Sequence, residues 1–266
     1  MPARSIQSKD NARLKELRRA LSASAPGTSG LVGIEGPNLL EEALRAGLHI
    51  ATVFVGHGSE QLLGSLSLPA ETEVLQVPRP LLASVLATET PQPIAALIEP
   101  PTWSWPHLVS PKETTALIIV LAGLQDPGNL GTILRSAEAF GATGAVSLPG
   151  TVSAWNPKTV RASAGSVFRI PLLASKAEEC FARLRESKVK ILATAIHEAK
   201  PAERVNLRTP VAILIGNEGN GLPKELAAQA DGTITIPCPG PVESLNAAMA
   251  ATVLLYEAAR QRRGAR

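Results

Sequence analysis

The chain has 266 residues, of which 45% are hydrophobic and 18% are charged, so general disorder is excluded and one large or two modest domains can fold. The formal net charge of +3 permits a nucleic-acid partner without requiring one, and an aromatic content of 3% argues against extensive base stacking on aromatic side chains. Two cysteines are too few for a disulfide framework or a tetrahedral zinc site.

The sequence carries no targeting or membrane signal that we recognise. Its opening residues, MPARSIQSKDNARLKELRRAL, contain no apolar core of the kind found in signal peptides. No uninterrupted apolar run reaches the roughly 20 residues that span a bilayer. We therefore expect a soluble, cytoplasmic protein without a membrane partner.

The first hundred residues predict a small α/β domain. Residues 8–23 form a helix candidate in which leucines recur at intervals of three and four, surrounded by basic residues. This basic surface is either a solvated helix face or a surface that contacts phosphates, and both interpretations stay open. The strand and helix candidates that follow are residues 31–36, 37–47, 51–56, 73–78, 80–86 and 94–100.

The proline-rich stretch around Trp103 and Trp105 lacks periodicity and predicts an interdomain linker at residues 101–113, with both tryptophans docked on a domain face. From residue 114 onwards, apolar strand candidates alternate with helices, which predicts a parallel sheet covered on both faces. The strand candidates are 116–121, 144–148, 189–196, 211–216 and 233–237, and the helix candidates are 130–140, 176–186, 224–230 and 244–260. The last helix is apolar nearly all round, so we expect it to be buried within the domain or at a subunit interface.

Several common functional motifs are absent from the sequence. There is no GxGxxG after a first strand and no GxxxxGK[ST], so a standard Rossmann or Walker site is not supported. There is also no GxSxG or HExxH motif, and the four histidines form no cluster that resembles a metal site. A cofactor would therefore need a less common arrangement, and no metal is predicted.

Three polar clusters interrupt the apolar pattern of the C-terminal half. They are DPGNLGTILRSAEAFG at 126–141, ILIGNEGNGLP at 213–223 and IPCPGPVESLNAAMA at 236–250. Each follows a strand candidate and leads towards a helix. Because open α/β sheets place their ligands at the carboxyl ends of the strands, the clusters together predict one site there.

The individual side chains allow structural and functional interpretations. Capping of a helix is the favoured role for Asn129 alone, whereas Arg135 lies among apolar neighbours and requires an anionic partner. Glu218 is either a solvated side chain in a strand-to-helix turn or a carboxylate that orients a polar substrate. Ser244 is a plausible N-cap, while Asn246 would lie in the first turn of an apolar helix, where a structural role is harder to assign.

The conjunction and order of these clusters closely resemble the SpoU/TrmH family, in the SPOUT class of RNA ribose 2′-O-methyltransferases. The resemblance covers the chain from about residue 114 onwards, including KTVRASAGSVFRIPL at 158–172. EGPNLLEEALRAG at 35–47 resembles the small RNA-binding domain that precedes the catalytic domain in many members. The family implies an α/β fold with an RNA-binding domain at 1–100, a linker at 101–113 and a parallel-sheet SPOUT domain with a trefoil knot at 114–266.

The resemblance further implies methyl transfer from S-adenosylmethionine to a ribose 2′-hydroxyl of RNA, rRNA rather than tRNA, with no metal ion. It implies a homodimer formed through the C-terminal domain, and no DNA partner. Matching the family motifs gives the cofactor-binding positions Thr194, Ala195, Gly216, Ile236 and Leu245. The catalytic positions carried over are Asn129, Arg135, Glu218, Ser244 and Asn246.

Under this resemblance, Arg135 would bind the substrate phosphate or help to remove the hydroxyl proton. Asn129, Glu218 and Asn246 would orient that hydroxyl and Arg135, with Ser244 in support. An electrostatic role for Arg135 is favoured because a free guanidinium stays protonated to about pH 12, and the general base is left open. The alternative hypothesis is a non-catalytic RNA-binding or ribosome-assembly factor on the same fold. A small-molecule methyltransferase is disfavoured by the basic first helix and the RNA-binding-like N-terminal domain.

Overall fold

The computed structural model describes residues 4–23, 26, 29–64, 66–86, 88–110, 114–242 and 244–263. The chain forms two compact units, and each consists of two stretches of sequence. The first unit comprises Met1–Thr102 and Ser153–Arg169, and the second comprises Trp103–Val152 and Ile170–Arg266. Within the described ranges, none of the helices has the length and hydropathy needed to cross a bilayer.

The first unit is built on a mixed five-stranded sheet. Its strands are β1 (Arg4–Ser5), β2 (Val32–Glu35), β3 (Ile50–Gly56), β4 (Glu73–Val77) and β5 (Ile94–Ile98). They lie in the order β1-β4-β3-β5-β2, with β1, β4 and β3 parallel and β5 antiparallel to both of its neighbours. Every residue of β5 is buried, which explains its continuous apolar sequence.

The predicted basic helix is present as α1 (Ala12–Ser22), which starts later than expected because Asn11 is its N-cap. Its leucines form the expected buried stripe. On the outer face, the Arg13 guanidinium bonds the carboxylates of Glu16 and Glu73 at 2.9 and 3.0 Å. Because Arg13 is paired within the protein, the structure favours a solvated helix face over a phosphate contact at this residue. The other helices of the Met1–Thr102 stretch are α2 (Pro37–Arg45), α3 (Gln61–Gly64) and α4 (Arg79–Ala83).

The stretch Ser153–Arg169 joins the first unit although it lies between two strands of the second unit's sheet. It contains α7 (Pro157–Ser163) and a 3-10 turn at Ser166–Phe168, neither of which the sequence analysis predicted. Arg169 Nη1 donates to Glu42 Oε2 at 2.6 Å, which ties the stretch to α2. Residues Val160, Val167 and Phe168 are buried.

The second unit contains an all-parallel seven-stranded sheet, as the sequence predicted. Its strands are β6 (Leu117–Leu121), β7 (Gly144–Ser147), β8 (Leu172–Ala174), β9 (Lys190–Thr194), β10 (Lys200–Pro201), β11 (Val211–Ile215) and β12 (Gly232–Thr235). They lie in the order β10-β12-β9-β11-β6-β7-β8. The two central strands, β6 and β11, are buried at every residue. The short strands β8 and β10 were not predicted.

The predicted linker is partly a helix that belongs to the second unit. This helix is α5 (Trp105–Val109), and it places the fully buried Leu108 in the core. The hydroxyl of Thr143 donates to the Leu108 carbonyl at 2.7 Å. Trp105 packs against the core, and the Trp103 ring meets His107 edge to face. The second unit therefore begins about ten residues earlier than the linker prediction placed it.

The other helices of the second unit are α6 (Pro127–Ala139), α8 (Ala177–Glu186), α9 (Lys224–Ala227) and α10 (Ala247–Arg263). The expected burial of the last helix holds for one face only. Its inner face includes the buried Leu254 and Leu255, and Thr252 bonds Ser136 of α6 at 2.7 Å between the hydroxyl oxygens. On its outer face, Met249, Val253 and Tyr256 are 66%, 41% and 48% exposed.

The C-terminal end of α10 is fastened to the beginnings of two central strands. The half-buried guanidinium of Arg262 donates to four carbonyl oxygens, at distances from 2.6 to 3.1 Å, and these belong to Thr115, Ala116, Leu207 and Thr209. Burial lowers the pKa of Arg262. This arginine connects the helix to the chain just before β6 and β11.

Candidate active site

The first polar cluster forms the start of α6, where Asp126 is the N-cap. The Asp126 carboxylate accepts the backbone N–H of Asn129 at 2.8 Å. The interpretation of Asn129 as a cap is therefore wrong, because Asp126 already fills that role three residues earlier. The Asn129 side chain is left available to contact other segments.

Three predicted catalytic side chains form one line of hydrogen bonds, which we call the amide–carboxylate chain (Asn246, Asn129 and Glu218). Asn246 Nδ2 donates to Asn129 Oδ1 at 3.1 Å. Asn129 Nδ2 in turn donates to Glu218 Oε1 at 3.0 Å. Residues from all three sequence clusters thus meet, as the sequence analysis expected from their place after three strands.

The direction of this chain is fixed by the start of α10. The Asn246 Oδ1 accepts the backbone N–H groups of Ala248 and Met249 at 2.9 and 3.3 Å, so Asn246 is the N-cap and its amide nitrogen must face Asn129. The expectation that Ser244 caps this helix is wrong, since the helix begins at Ala247. Capping of α10 is therefore the structural role of Asn246, which the sequence alone did not suggest.

Glu218 is held as a carboxylate by the residues around it. It accepts the backbone N–H groups of Gln125 and Asp126 at 3.2 and 3.1 Å, in addition to the Asn129 amide. Burial acts to raise the pKa of Glu218, but the hydrogen bonds from Asn129 and the backbone outweigh it and hold the pKa below its usual value. A carboxylate with a lowered pKa is a weak proton acceptor, so this geometry suits orientation rather than general-base catalysis.

The lowered pKa of Glu218 predicts a pH-dependent contribution to stability. Ionised Glu218 stabilises the fold above the usual glutamate pKa of 4.5, and this contribution is lost as the pH falls through the lower pKa of the folded state. The difference in Tm between the wild type and Glu218→Gln is thus expected to be constant near neutral pH and to shrink in acid. Thermal unfolding across this pH range tests it, with Glu225→Gln on α9 as the control. A difference that grows in acid would contradict the assignment.

Asn217, which the sequence analysis did not single out, shapes the loop that carries Glu218. Its Nδ2 donates to the Gly123 carbonyl at 2.8 Å, and its Oδ1 accepts the backbone N–H groups of Gly219 and Asn220 at 2.9 and 3.1 Å. This Asx-type turn ties the loop after β11 to the end of β6. An asparagine directly after a strand and before a glycine-rich turn was the signal available in the sequence.

Gly216 is required by a close approach of the loop to itself. A Cβ atom at this position would lie 2.3 Å from the Gly221 carbonyl carbon and 2.4 Å from the Leu222 nitrogen. Both neighbours are backbone atoms, so the loop cannot yield by rotating a side chain. The glycine therefore permits the turn between β11 and α9 in its observed form.

Gly216→Ala is accordingly expected to lower the free energy of unfolding by about 1–3 kcal/mol, the usual range for overpacking. The matched control is Gly219→Ala in the same loop, where the added Cβ would meet Asn217 Oδ1 at an ordinary 3.6 Å. Denaturant unfolding of both variants is the measurement. Equal free energies of unfolding for the two variants would contradict the prediction, because the loop would then accommodate a Cβ atom at position 216 without an energetic cost.

Arg135 and Ser244 lie outside the amide–carboxylate chain. Both residues are exposed, and the side chain of neither forms a hydrogen bond or an ion pair with another described residue. The anionic partner that the sequence analysis expected for Arg135 is therefore not found among the described residues. Its guanidinium is available for a charged group from outside the chain.

Four of the predicted cofactor positions, Thr194, Ala195, Gly216 and Ile236, lie at the carboxyl ends of β9, β11 and β12, and the fifth, Leu245, lies just before α10. Thr194 donates its hydroxyl to the Leu214 carbonyl at 2.8 Å, and the Ala195 N–H bonds the Ile234 carbonyl at 3.0 Å, so these polar groups hold strands together. Ile236 is half-buried. Three apolar side chains in the segments that follow β9 and β12 are exposed, namely Ile196, Val242 and Leu245, at 58%, 57% and 38%.

These residues fit an adenosyl group better than a metal ion. Exposed apolar side chains beside strand-end backbone groups suit a ligand with a flat apolar face and a polar edge. Within the part of the chain that the structure describes, no group of three or more His, Cys, Asp or Glu side chains is placed to bind a metal ion.

Comparisons with known proteins agree with this arrangement. Residues 116–256 match the SpoU rRNA Methylase family, and residues 11–96 match the MRM3-like substrate binding domain. The chain is 31% identical over 252 residues to the 23S rRNA (guanosine(2553)-2′-O)-methyltransferase RlmP of Bacillus subtilis, covering 94% of this chain and 97% of the relative. It is 42% identical over 160 residues to the 23S rRNA (guanosine-2′-O-)-methyltransferase RlmB of Xanthomonas campestris pv. campestris, covering 59% of this chain and 64% of that protein.

A solved structure extends the likeness to the whole chain. The crystal structure of an AdoMet-bound rRNA methyltransferase from Sinorhizobium meliloti has a TM-score of 0.83 and 30% identity, covering 97% of this chain and 98% of the other. The fold and these matches define the class of protein, a methyltransferase with a separate substrate-binding domain. The chain belongs to the SpoU rRNA methylase family, which confirms the resemblance drawn from the three sequence clusters.

Proposed function

We propose that this protein transfers the methyl group of S-adenosylmethionine to the 2′-hydroxyl of a ribose in rRNA. The observation that carries the proposal is the amide–carboxylate chain, which joins the three family clusters at the carboxyl edge of the parallel sheet. The relatives RlmP and RlmB are named for 2′-O-methylation of guanosine in 23S rRNA, which favours guanosine as the target here.

S-adenosylmethionine, when bound, supplies a methyl group that is already activated for displacement. The residues proposed to hold it are Thr194, Ala195, Gly216 and Ile236 at the ends of β9, β11 and β12, and Leu245 just before α10. The exposed apolar side chains there support this placement. So does the likeness to the Sinorhizobium meliloti structure, whose name states that it is AdoMet-bound.

The amide–carboxylate chain is suited to orient the attacking hydroxyl. Asn129 and Asn246 each use one of their two amide hydrogens within the amide–carboxylate chain. Each therefore retains a second N–H that can donate to the ribose oxygen. The start of α10 fixes the direction of the Asn246 amide, and Glu218 accepts from the Asn129 amide at the other end of the chain. Since the methyl donor is activated, positioning supplies much of the rate, and good orientation contributes roughly 7–11 kcal/mol to lowering a barrier.

The exposed side chains complete the proposed site. Arg135 lacks a partner among the described residues and would bind a backbone phosphate next to the target ribose. Ser244, two residues before the cap of α10, would support the substrate. The N-terminal unit, matched to a substrate-binding domain, would bind RNA.

We further propose that the protein acts as a homodimer in the cytoplasm. The apolar outer face of α10, formed by Met249, Val253 and Tyr256, is the surface that a second copy would cover. The stretch between β11 and α10 is proposed to form the trefoil knot that the resemblance implies.

The proposed function is tested by nucleoside mass spectrometry of rRNA and tRNA from cells with and without the protein. We expect one 2′-O-methylated nucleoside of rRNA to disappear with the gene, to return with the wild type and to stay absent with Arg135→Ala. Purified protein should reproduce the methylation with S-adenosylmethionine and unmodified rRNA. No change in any methylated nucleoside would overturn the proposal in favour of a non-catalytic role.

A further inference from the structure

A crevice of about 640 Å³ lies beside the amide–carboxylate chain within the second unit. It is lined by the ends of β6 and β7, the start of α8 and the loop after β11. Gln125 and Asn217 both line it, and the Gln125 backbone N–H donates to Glu218 at 3.2 Å. The crevice therefore adjoins the place where the target ribose is proposed to sit, and its size is within the usual range for small-ligand sites.

The lining has apolar walls and a small number of polar groups. Its apolar side chains include Leu148, Pro149, Pro223 and Leu226. Lys176 and Glu178 contribute one cation and one anion, and the side chain of neither bonds another described residue. An anionic side chain at the rim disfavours a phosphate group, whereas apolar walls with one donor and one acceptor favour a flat, neutral, polar ring.

We propose that this crevice binds the base of the target nucleotide and that Lys176 and Glu178 select guanine. Guanine presents a carbonyl oxygen beside two neighbouring N–H donors on its pairing edge, which match an ammonium donor and a carboxylate acceptor. Adenine and cytosine place an amino group where guanine has the carbonyl and a ring-nitrogen acceptor beside it, so both contacts would be unfavourable. Uracil offers the carboxylate a single donor.

This assignment rests on the proposed function, and it identifies the target base as the part of the substrate that the crevice binds. It assigns distinct tasks to neighbouring residues. The Asn217 amide is held in place by its bonds to Gly123, Gly219 and Asn220, and it forms part of the crevice wall. The side chains of Lys176 and Glu178 are free to contact the base.

The first test compares Glu178→Gln with the matched control Glu179→Gln, the next residue of α8, which bonds Ser175 and does not line the crevice. The substrate is rRNA from cells that lack the protein. We expect Glu178→Gln to lower kcat/KM about tenfold, mainly through KM, because glutamine replaces one of the two acceptor interactions with a repulsive donor. The Kd for S-adenosylmethionine should be unchanged in both variants. Equal kcat/KM values for the two variants would overturn the proposal.

The second test needs no catalytic activity. NMR spectra of protein with labelled leucine methyl groups are recorded with millimolar GMP, AMP, CMP or UMP. We expect GMP to shift Leu148 and Leu226, and Glu178→Gln to remove that shift. Equal shifts from all four nucleotides, or none from GMP, would overturn guanine selection. Guanine-specific shifts in a protein that methylates no RNA would instead contradict the proposed function and leave the crevice assignment standing.

Discussion

Asn129→Ala is expected to slow methyl transfer by about a hundredfold or more, the size of effect seen when an orienting hydrogen-bond donor is removed from an active site. Asn129 bonds both Asn246 and Glu218, so its removal breaks the amide–carboxylate chain at its centre. It also removes a spare N–H that is proposed to hold the ribose oxygen. The measurement is the single-turnover rate with saturating S-adenosylmethionine and unmodified rRNA.

Two further variants sharpen this experiment. Asn129→Asp keeps an acceptor for Asn246 but places a second carboxylate beside Glu218, so we expect it to be as slow as the alanine variant at neutral pH. Asn206→Ala removes an exposed asparagine whose side chain accepts only a local N–H, from Arg208, among the described residues, and it should keep the wild-type rate. A rate for Asn129→Ala within threefold of the wild type would refute the proposed orienting role.

Arg262→Ala is expected to give a large loss of stability, about 3 kcal/mol. The guanidinium donates to four backbone carbonyls where α10 meets the beginnings of β6 and β11, and its removal would take a donor from each of them. Among the four, only the Ala116 carbonyl keeps another donor from the described residues, the Val211 N–H at 3.1 Å. For a chain of this size we expect Tm to fall by roughly 6–12 °C. Thermal unfolding of the purified protein is the measurement.

The neighbouring arginine provides the control for this prediction. Arg263 is exposed and lies over the Tyr256 ring at 5.9 Å, so Arg263→Ala should shift Tm far less than Arg262→Ala does. Arg262→Lys should give an intermediate loss, because an ammonium cannot reach four carbonyls in the fork geometry of a guanidinium. Equal Tm values for the alanine variants at positions 262 and 263 would show that the carbonyl cluster contributes little.

The sequence predicted the elements whose pattern is strongest. Central strands such as β6 and β11 are continuous apolar runs because both faces of a parallel sheet are covered, and such runs are visible without a structure. Strands β8 and β10 have three and two residues, too few to display a period. Helix α5 lies among prolines that also suit a linker, so burial of Leu108 could be seen only in the fold.

The three site clusters were predictable from the sequence, but it did not show which residue of each cluster caps a helix and which bonds the other clusters. Asp126 and Asn129 have similar capping propensities, as do Ser244 and Asn246, so a sequence cannot decide which member of each pair caps the helix. The local cap bonds of Asp126 and Asn246 decide both choices in the structure, and the Asn129 side chain instead bonds side chains 89 and 117 positions away in the chain. The requirement for glycine at position 216 was also hidden in the sequence. A side chain there would clash with backbone atoms five and six residues later, and this close approach is visible only in the fold.

The stretch Ser153–Arg169 has a consequence for how this chain can be divided. Because it belongs to the first unit but is inserted within the sequence of the second, the backbone passes between the units three times. A fragment cut after Thr102 would leave Val160, Val167 and Phe168 behind without the surface that buries them. Neither half is then a module that a single gene fusion could exchange, and a graft of new RNA specificity onto this enzyme would have to transplant both stretches together.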